Sequence, residues 1–449
     1  MVTHTRDAEL GNVCPMSLSR LTELAKEDCE RKFTSIAHFL TPETLYEAFR
    51  SLRKDASAGV DQVKYADYAT QAQENIQRLW ERLKGRTYRA QPLRRIYIPK
   101  EDGSERPISI PALEDKIVQK ATVRLLNSIY ETDFLTCSKG FRPGCGPHDA
   151  LDEVDRILFR EPISYVLELD ITSYFDTIVR ALLMEMIEKR IGDGSILRLI
   201  RKWINVGVID EGRLLVSETG TGQGQVISPL LANIYLHHVL DLWFEKEVKA
   251  RLKGKAFEVR YADDALLCFQ YQEDAQKVLK VLAKRFSKYG LTLHPEKTRL
   301  IEFGRFALPK AETKNGRPAT FDFLGLTHFT ARGRRGGFTV KTKTMKKRLK
   351  RSLQATAAWC RAHRHDPVKH QQDALNAQLR GHYQYYGRSS NYRSLWQFYR
   401  GVQRSWRKWL SRRSRDTPVT WAKYALLFRR HPLVPPQIVH TWADSRSRT

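Results

Sequence analysis

Long apolar runs are missing from this chain of 449 residues. Nowhere do the roughly 20 uninterrupted apolar residues of a membrane-spanning helix occur, and the stretch from Met1 to Asn12 is polar, unlike a secretion signal. The expectation is a soluble, cytoplasmic protein without a membrane partner. Cysteine is also scarce. The six present (Cys14, Cys29, Cys137, Cys145, Cys268, Cys360) form no CxxC pair, so neither a zinc ribbon nor a disulfide framework is indicated, and they read as reduced packing residues. Internal repeats and low-complexity tracts are lacking too, which argues against a solenoid.

Acids are scarce in one region in particular. From Lys341 to Thr449 there are 25 Lys and Arg against four acids (Asp366, Asp373, Asp416, Asp444), a balance of +21. The whole chain carries +27 with a pI near 9.9, so the first 340 residues contribute only about +6. That asymmetry points to a polyanion, nucleic acid above all, gripped mainly by the last quarter. Six of the nine tryptophans lie in the same stretch, and aromatics interleaved with arginines suit a nucleic-acid surface better than a disordered tail.

Strands and helices intermingle up to about residue 330. Helices are expected over Ser17 to Phe33, Leu40 to Leu52 with Thr41 as cap, and Tyr65 to Lys84. Arg94 to Lys100 and Arg106 to Pro111 read as a basic hairpin around Glu101-Asp102-Gly103. Leu113 to Tyr130 is helical, and the glycine- and proline-broken loop Gly140 to Gly146 carries Arg142, a candidate nucleic-acid contact. Tyr165 to Ile171 is a nearly continuous apolar run, as expected of a buried strand ending in a functional carboxylate, Asp170. Helix is expected over Arg180 to Val206, a strand over Arg213 to Val216, a glycine loop over Gly220 to Gly224 and a helix over Ser228 to Lys249. Glu258 to Phe269 reads as strand, turn, strand; residues 275 to 289 as helix; Phe321 to Phe329 as a strand. Beyond 330 the pattern is almost wholly helical. The expected class is an α/β (α+β) body with a basic helical appendage.

Tyr261-Ala262-Asp263-Asp264 sits between apolar and aromatic residues, which puts two adjacent acids at a hairpin tip. Adjacent carboxylates repel unless a cation neutralises them, and Mg²⁺ is the natural one. With Asp170 they could hold two metals about 3.5–4 Å apart, the arrangement of nucleotidyl transfer. Taken alone, the tetrapeptide is equally an ordinary acidic turn. The order of features around it decides. Ala58-Gly59-Val60-Asp61; Ile98-Pro99-Lys100 with Arg106-Pro107; Ile110 to Asp115; Gly140-Phe141-Arg142-Pro143-Gly144; Leu169-Asp170-Ile171 with Phe175-Asp176; Gln223-Gly224 with Ser228 to Asn233; YADD; Pro295-Glu296-Lys297-Thr298; and Phe323-Leu324-Gly325 occur in sequence.

On these blocks the chain resembles a group II intron-encoded reverse transcriptase and maturase from about residue 50 nearly to the C-terminus. The resemblance implies a right-hand polymerase: an N-terminal extension (1–45), fingers and palm (46–330), and a helical thumb or maturase domain (341–449). It implies a metal set of Asp170, the adjoining Ile171, Asp263 and Asp264 holding two Mg²⁺ ions. Lys100 and Arg106 would close over a deoxynucleoside triphosphate, Phe175 would exclude a ribose 2′-hydroxyl, Gln223 would back the template base and nucleotide, and Lys297 would protonate departing pyrophosphate. Gly222 stands where the family commonly has proline, and Gln225 where it has glycine, which leaves the stiffness of this loop open. The loop lacks the Lys-Ser/Thr of a phosphate-binding P-loop.

In the basic quarter, Leu395, Phe398, Val402, Trp406 and Trp409 recur at helical spacing and leave Arg400, Arg404, Arg407 and Lys408 for another face. Leu379-Arg380-Gly381-His382 resembles the maturase segment, with His382 in place of the usual tryptophan and Arg380 as a further candidate contact. The partners implied are intron RNA, an RNA template with a DNA primer, deoxynucleotides and target DNA; monomer or dimer is left open. His363, His365 and His370 lack cysteines or carboxylates at ligand spacing. With no H-N-H endonuclease segment before Thr449, second-strand cleavage is not expected. Two alternatives share these blocks: a domesticated relative in phage defence or repair, and a splicing-only RNA-binding protein, against which the intact aspartates argue.

Overall fold

A computed structural model of the chain describes residues 17–441 apart from 100–102, 104, 211, 218, 314, 315, 317, 334, 335 and 415–418. Local chemistry sets the first helices. Ser17 accepts from Arg20 N at the start of Leu18–Glu27, and Thr41 and Thr44 cap Pro42–Arg50 reciprocally. Both helices bury their apolar sides against the long Leu113–Asp133 helix. The single helix expected over Tyr65 to Lys84 is two, Tyr65–Ala69 and Ala72–Lys84. At the break Thr70 Oγ1 donates back to the Asp67 carbonyl at 2.7 Å.

In chain order, β1 (Leu93–Pro99) and β2 (Glu105–Ile110) form the basic hairpin, and β3 (Tyr165–Leu169) leads into Asp170. β4 (Val208–Asp210) and β5 (Arg213–Leu215) follow, then β6 (Ala256–Tyr261) and β7 (Asp264–Phe269). Last come β8 (Arg299–Glu302), β9 (Phe321–Phe323), β10 (Leu326–Arg332) and β11 (Phe338–Thr344). They form three sheets, ordered β2-β1-β4-β5, β6-β7-β3-β8 and β11-β10-β9.

The second sheet organises the molecule. All its pairings are antiparallel, yet both faces are covered. Leu167, Leu169, Ala265, Leu267 and Phe269 enter the largest core, with the Ser228–Leu236 and Gln272–Lys288 helices. Val166, Val259, Leu266, Cys268 and Ile301 face the Pro147–Arg160 helix and the third sheet. Burial on both sides explains why Tyr165 to Ile171 reads as an apolar run rather than an alternation.

Several expectations shift. Arg180 to Val206 is two helices, Arg180–Glu188 and Gly194–Asn205, split where Asp193 caps the second through Ser195 N and Ile196 N. The segment from Ser228 continues through two π-helical turns, His237–Asp241 and Phe244–Val248. Phe321 to Phe329 is not one strand, because Leu324 and Gly325 take positive φ and turn the chain between β9 and β10. Helix dominates only from Lys346, since β11 belongs to the third sheet. The helices Lys346–Ala362, Val368–Tyr386, Tyr392–Leu410 and Trp421–Arg430 then enclose a core of their own, including Leu375, Leu379, Leu395, Phe398, Val402 and Trp406. This part is bolted to the body by Arg388, whose Nη2 lies 2.7 Å from both Asp152 and Asp155 carboxylates. Tyr385 O–H adds a bond to the Leu324 carbonyl at 2.9 Å.

Candidate active site

Strand register assembles the acidic centre. Tyr261 pairs with Asp264, so Ala262 and Asp263 form a two-residue hairpin turn, with Ala262 in the left-handed region at φ 60. β3 pairs Leu169 with Ala265; one step further along that register sets Asp170 across from Asp264. On its other edge β3 pairs Glu168 with Arg299, and Ile171 bridges Leu293, with residues 295–297 looping out as a turn between the two. Lys297 lies in that turn, its Nζ 3.4 Å from Asp170 Oδ2. The Asp170 carbonyl accepts from His294 N at 2.8 Å, and Ile171 is buried in a bridge to Leu293. Asp264 and Asp170 thus face each other on neighbouring strands, and Lys297 reaches Asp170 from the turn before β8.

Two of the three carboxyls are raised above their ordinary values. Water reaches Asp264, but the protein crowded round it, followed by the charges of Asp263 and Asp170, pushes its carboxyl up to about 7 against the pull of Arg348 and Lys297. Burial, then Asp170, raises Asp263, opposed by its own backbone N–H, Arg106 and Arg260. Hard carboxylate oxygens made unfavourable by one another's charge fit a divalent cation with oxygen preference. Arg348, on the first C-terminal helix, was not read from the sequence as part of this site; its distance from the aspartates in the chain leaves no local signal.

Of the supposed nucleotide-contacting residues, Arg106 is near the aspartates, and Phe175 and Gln223 are tied to one loop. Arg106 faces Ile98 across the β1–β2 hairpin and is near enough for its charge to act on Asp263. Lys100 lies outside the described residues. Phe175 is half-buried on the short Tyr174–Thr177 helix. The glycine loop is docked on it: Thr221 N donates to the Phe175 carbonyl at 2.8 Å. Arg180, unremarked in the sequence, ties this loop down through the carbonyls of Gly220 (2.9 Å), Ser217 (2.6 Å) and Thr219 (3.1 Å). The Gln223 carbonyl accepts from Ser109 N at 2.7 Å, joining the loop to β2.

The two unusual residues of that loop are explained together. Gln225 is buried, accepts from Gln119 Nε2 at 2.9 Å and donates to the Trp203 carbonyl at 3.1 Å, while Gln119 Oε1 accepts from Val226 N at 2.9 Å. A Cβ on Gly222 would come within 2.9 Å of the Gln225 amide nitrogen and 2.6 Å of Leu93 Cδ1. Glycine at 222 leaves the room that glutamine at 225 fills. Loop order rests on buried amide bonds.

The supposed nucleic-acid contacts divide. Arg380, Arg400, Arg404 and Lys408 are exposed, Arg400 lying 5.6 Å over Trp396 and Lys408 5.5 Å over Trp409. Arg407 stacks 4.0 Å over Trp421 and donates to the Val419 carbonyl. Arg142 is spent internally, on Glu131 at 2.9 Å and on the carbonyls of Leu135 (2.9 Å) and Ser138 (2.8 Å). It orders its own loop, a demand that a glycine-rich segment makes and its sequence does not display.

A mixed helix-and-sheet body that sets Asp170 across from Asp264, with Asp263 in the adjoining turn and a basic helical region beside it, is of a polymerase-like class. Residues 98–328, just over half of the chain, match the family model "Reverse transcriptase (RNA-dependent DNA polymerase)". The chain belongs to the reverse transcriptase family, whose members generally use divalent metal ions. It is 37% identical over 250 residues to Protein YkfC of Escherichia coli (strain K12), covering 54% of this chain and 64% of that protein. It is 30% identical over 302 residues to the group II intron-encoded protein LtrA of Lactococcus lactis subsp. cremoris, covering 65% of this chain and 50% of LtrA. A 91 kDa protein in the cob intron of Schizosaccharomyces pombe is 39% identical over 172 residues, 38% of this chain and 21% of that protein. The matches therefore span between about a fifth and two thirds of these relatives. Among the described residues no helix is long and apolar enough to cross a membrane.

Proposed function

We propose that this chain is an RNA-directed DNA polymerase that copies RNA into cDNA by two-metal, Mg²⁺-dependent nucleotidyl transfer and also binds its intron RNA to assist splicing and retrohoming into target DNA. In this reading residues 1–45 are an N-terminal extension, 46–330 fingers and palm of a right hand, and 341–449 a thumb and maturase surface. The observation that carries it is Asp170 set across from Asp264 by strand register, beside the Asp263 turn and with Lys297 in reach of Asp170. Similarity to LtrA supports the intron-linked part.

Asp170, Asp263 and Asp264 would hold the ions, with Ile171 contributing beside Asp170. Bound there, two Mg²⁺ would supply acidification of the primer 3′-hydroxyl and counter-charge for leaving pyrophosphate. Everything else falls to the chain. Arg106, and Lys100 from the hairpin, bind triphosphate oxygens, a role that suits a cationic fork and a compact ammonium. Phe175 fills the space beside the sugar where a 2′-hydroxyl would stand. Gln223, on a loop tied to β2 and to Phe175, backs the nascent pair. Lys297 holds a proton at Nζ for the departing pyrophosphate. Arg400, Arg404 and Lys408 bind phosphates of the duplex or intron RNA; Arg380 and Arg407 flank them.

Primer extension on an RNA template with Mg²⁺ and deoxynucleotides tests this reading. Parent protein should make cDNA; Asp263→Ala should make none while still binding RNA. A parent that extends no primer sinks the enzymatic claim, and flanking DNA without a group II ribozyme would sink the splicing claim alone.

A further inference from the structure

Under the YADD turn lies a polar cluster that packing alone does not demand. Arg260, on β6, is wholly buried. Its Nε and Nη2 bind the two oxygens of Asp241 at 2.7 Å and 2.5 Å, and its Nη1 donates to Asn233 Oδ1 at 3.0 Å and to the Ala262 carbonyl at 2.9 Å. Asn233 in turn donates through Nδ2 to the Gly140 carbonyl at 2.7 Å. Gly140 touches the other side of the same residue, since a Cβ there would lie 2.1 Å from Ala262 N. Ala262 is thereby gripped from two directions, by Arg260 at its carbonyl and by Gly140 at its amide, and Asn233 links the two grips.

Stability is a weak reason for such a cluster, because buried ion pairs are often matched or bettered by apolar residues of similar volume. The turn supplies a stronger one. Ala262 holds a left-handed conformation that is strained for a non-glycine residue. It must do so next to carboxylates that repel one another. Without restraint the turn would relax and move Asp263 and Asp264 apart.

A metal site is the rival use of these groups. Ligand atoms of Cys137, Asp241 and Glu258 lie within 4.8 Å of one another. Arg260, however, already takes both Asp241 oxygens, and burial holds Cys137 and Glu258 in their protonated forms. Asp241 is the counter-charge for Arg260.

We propose that Arg260, Asn233 and Asp241 are positioning residues, a clamp that fixes the Ala262 carbonyl and so holds in place the turn that carries Asp263 and Asp264 before any cation arrives. This rests on the polymerase reading above and deepens it. The gain is preorganisation, a site whose dipoles need not move when charge enters.

The test compares the parent, Asn233→Ala and Arg260→Lys in two assays. Mn²⁺ binding to the protein alone is read by electron paramagnetic resonance. Mg²⁺ dependence of primer extension is measured per titrated active site, together with deoxynucleotide KM and thermal melting. Asn233→Ala should weaken Mn²⁺ binding and raise the half-saturating Mg²⁺ by about tenfold, the scale of lost outer-shell support, with KM for deoxynucleotide little changed. Excess Mg²⁺ should restore part of kcat. A purely structural role would instead lower the melting temperature and the active fraction while metal dependence stayed at the parent value, and that outcome overturns the clamp. Arg260→Lys removes a buried fork and can fail to fold; Asn233→Ala removes no charge and then decides. If the parent makes no cDNA but Asn233→Ala still loses Mn²⁺ affinity, the polymerase reading fails and the clamp stands. If the parent polymerises and the variant keeps its Mn²⁺ affinity, the clamp fails and the polymerase reading stands.

Discussion

The central sheet and the C-terminal helices handle charge in opposite ways. In the sheet, charged groups are few, close and held by fixed partners: Asp241 on both arms of Arg260, and Glu168 on Arg299 at 2.6 Å. In the helices, cations are many and lie on aromatic faces at the surface, Arg400 on Trp396 and Lys408 on Trp409. Aligning a reaction demands that a few atoms stay put, so it is built on strands in a covered sheet. Holding a polyanion asks only for enough positive charge within reach, so exposed and individually weak contacts serve. Position matters in one region and quantity in the other.

Replacing a single central group should therefore be far more damaging than replacing a single helical one. Asp264→Asn should take primer extension below detection while filter binding of RNA stays near the parent level; retained extension would break the contrast. Next in size, Gln225→Leu strands the Gln119 amide and the Trp203 carbonyl in a buried setting, at a cost of about 1–3 kcal/mol. Urea unfolding should show it, along with a raised deoxynucleotide KM.

The helical region should show its own sensitivity, to acid. His382 is buried, stacked 3.8 Å from Phe398, and burial lowers its pKa to about 4. The unfolded chain takes up that proton near pH 6.5 and the folded one does not until about 4, so stability is full above pH 6.5 and falls as pH drops through this window. His382→Phe should flatten the melting-temperature curve between pH 6.5 and 4, and an unchanged curve would show that the ring titrates freely. Smaller still per residue, Arg404→Ala and Lys408→Ala should each reduce the salt dependence of RNA binding by about one unit of slope, without altering kcat. The least effect is expected from Phe141→Gly. Phe141 is exposed at φ 59, and glycine there should raise stability by about 0.5 kcal/mol in thermal melts.

What could be read in the sequence follows the same division. The YADD hairpin and the Asp170 strand were legible because acids interrupt apolar runs, and a two-sided core imposes such runs on its strands. The basic face of Tyr392–Leu410 was legible from its 3.6-residue spacing. β11 was not, because its buried face is made by Val340, Thr342 and Thr344. Threonine side chains there satisfy partners, Thr342 Oγ1 with Ser390 Oγ at 2.7 Å and Thr344 Oγ1 accepting from Asn391 Nδ2 at 2.8 Å, and such a face looks polar in sequence. Arg260 and Asn233 were passed over for a related reason. Their bonds reach Asp241, Gly140 and Ala262, and only folding brings those residues together. Family resemblance supplied Lys297, and its ion pair from the turn before β8 gives it a physical place beside Asp170.

The register of β3 also bears on how such a chain tolerates changes of length. Because Asp170 meets Asp264 by counting residues along paired strands, inserting residues at the exposed Ser217, in the connection between Asp170 and β6, need not disturb the alignment. Deleting Glu168 would shift the count on both edges at once and put Leu167 and Leu169 on opposite faces. The five residues of β3 act as a ruler, and a scan of insertions and deletions should find its markings there.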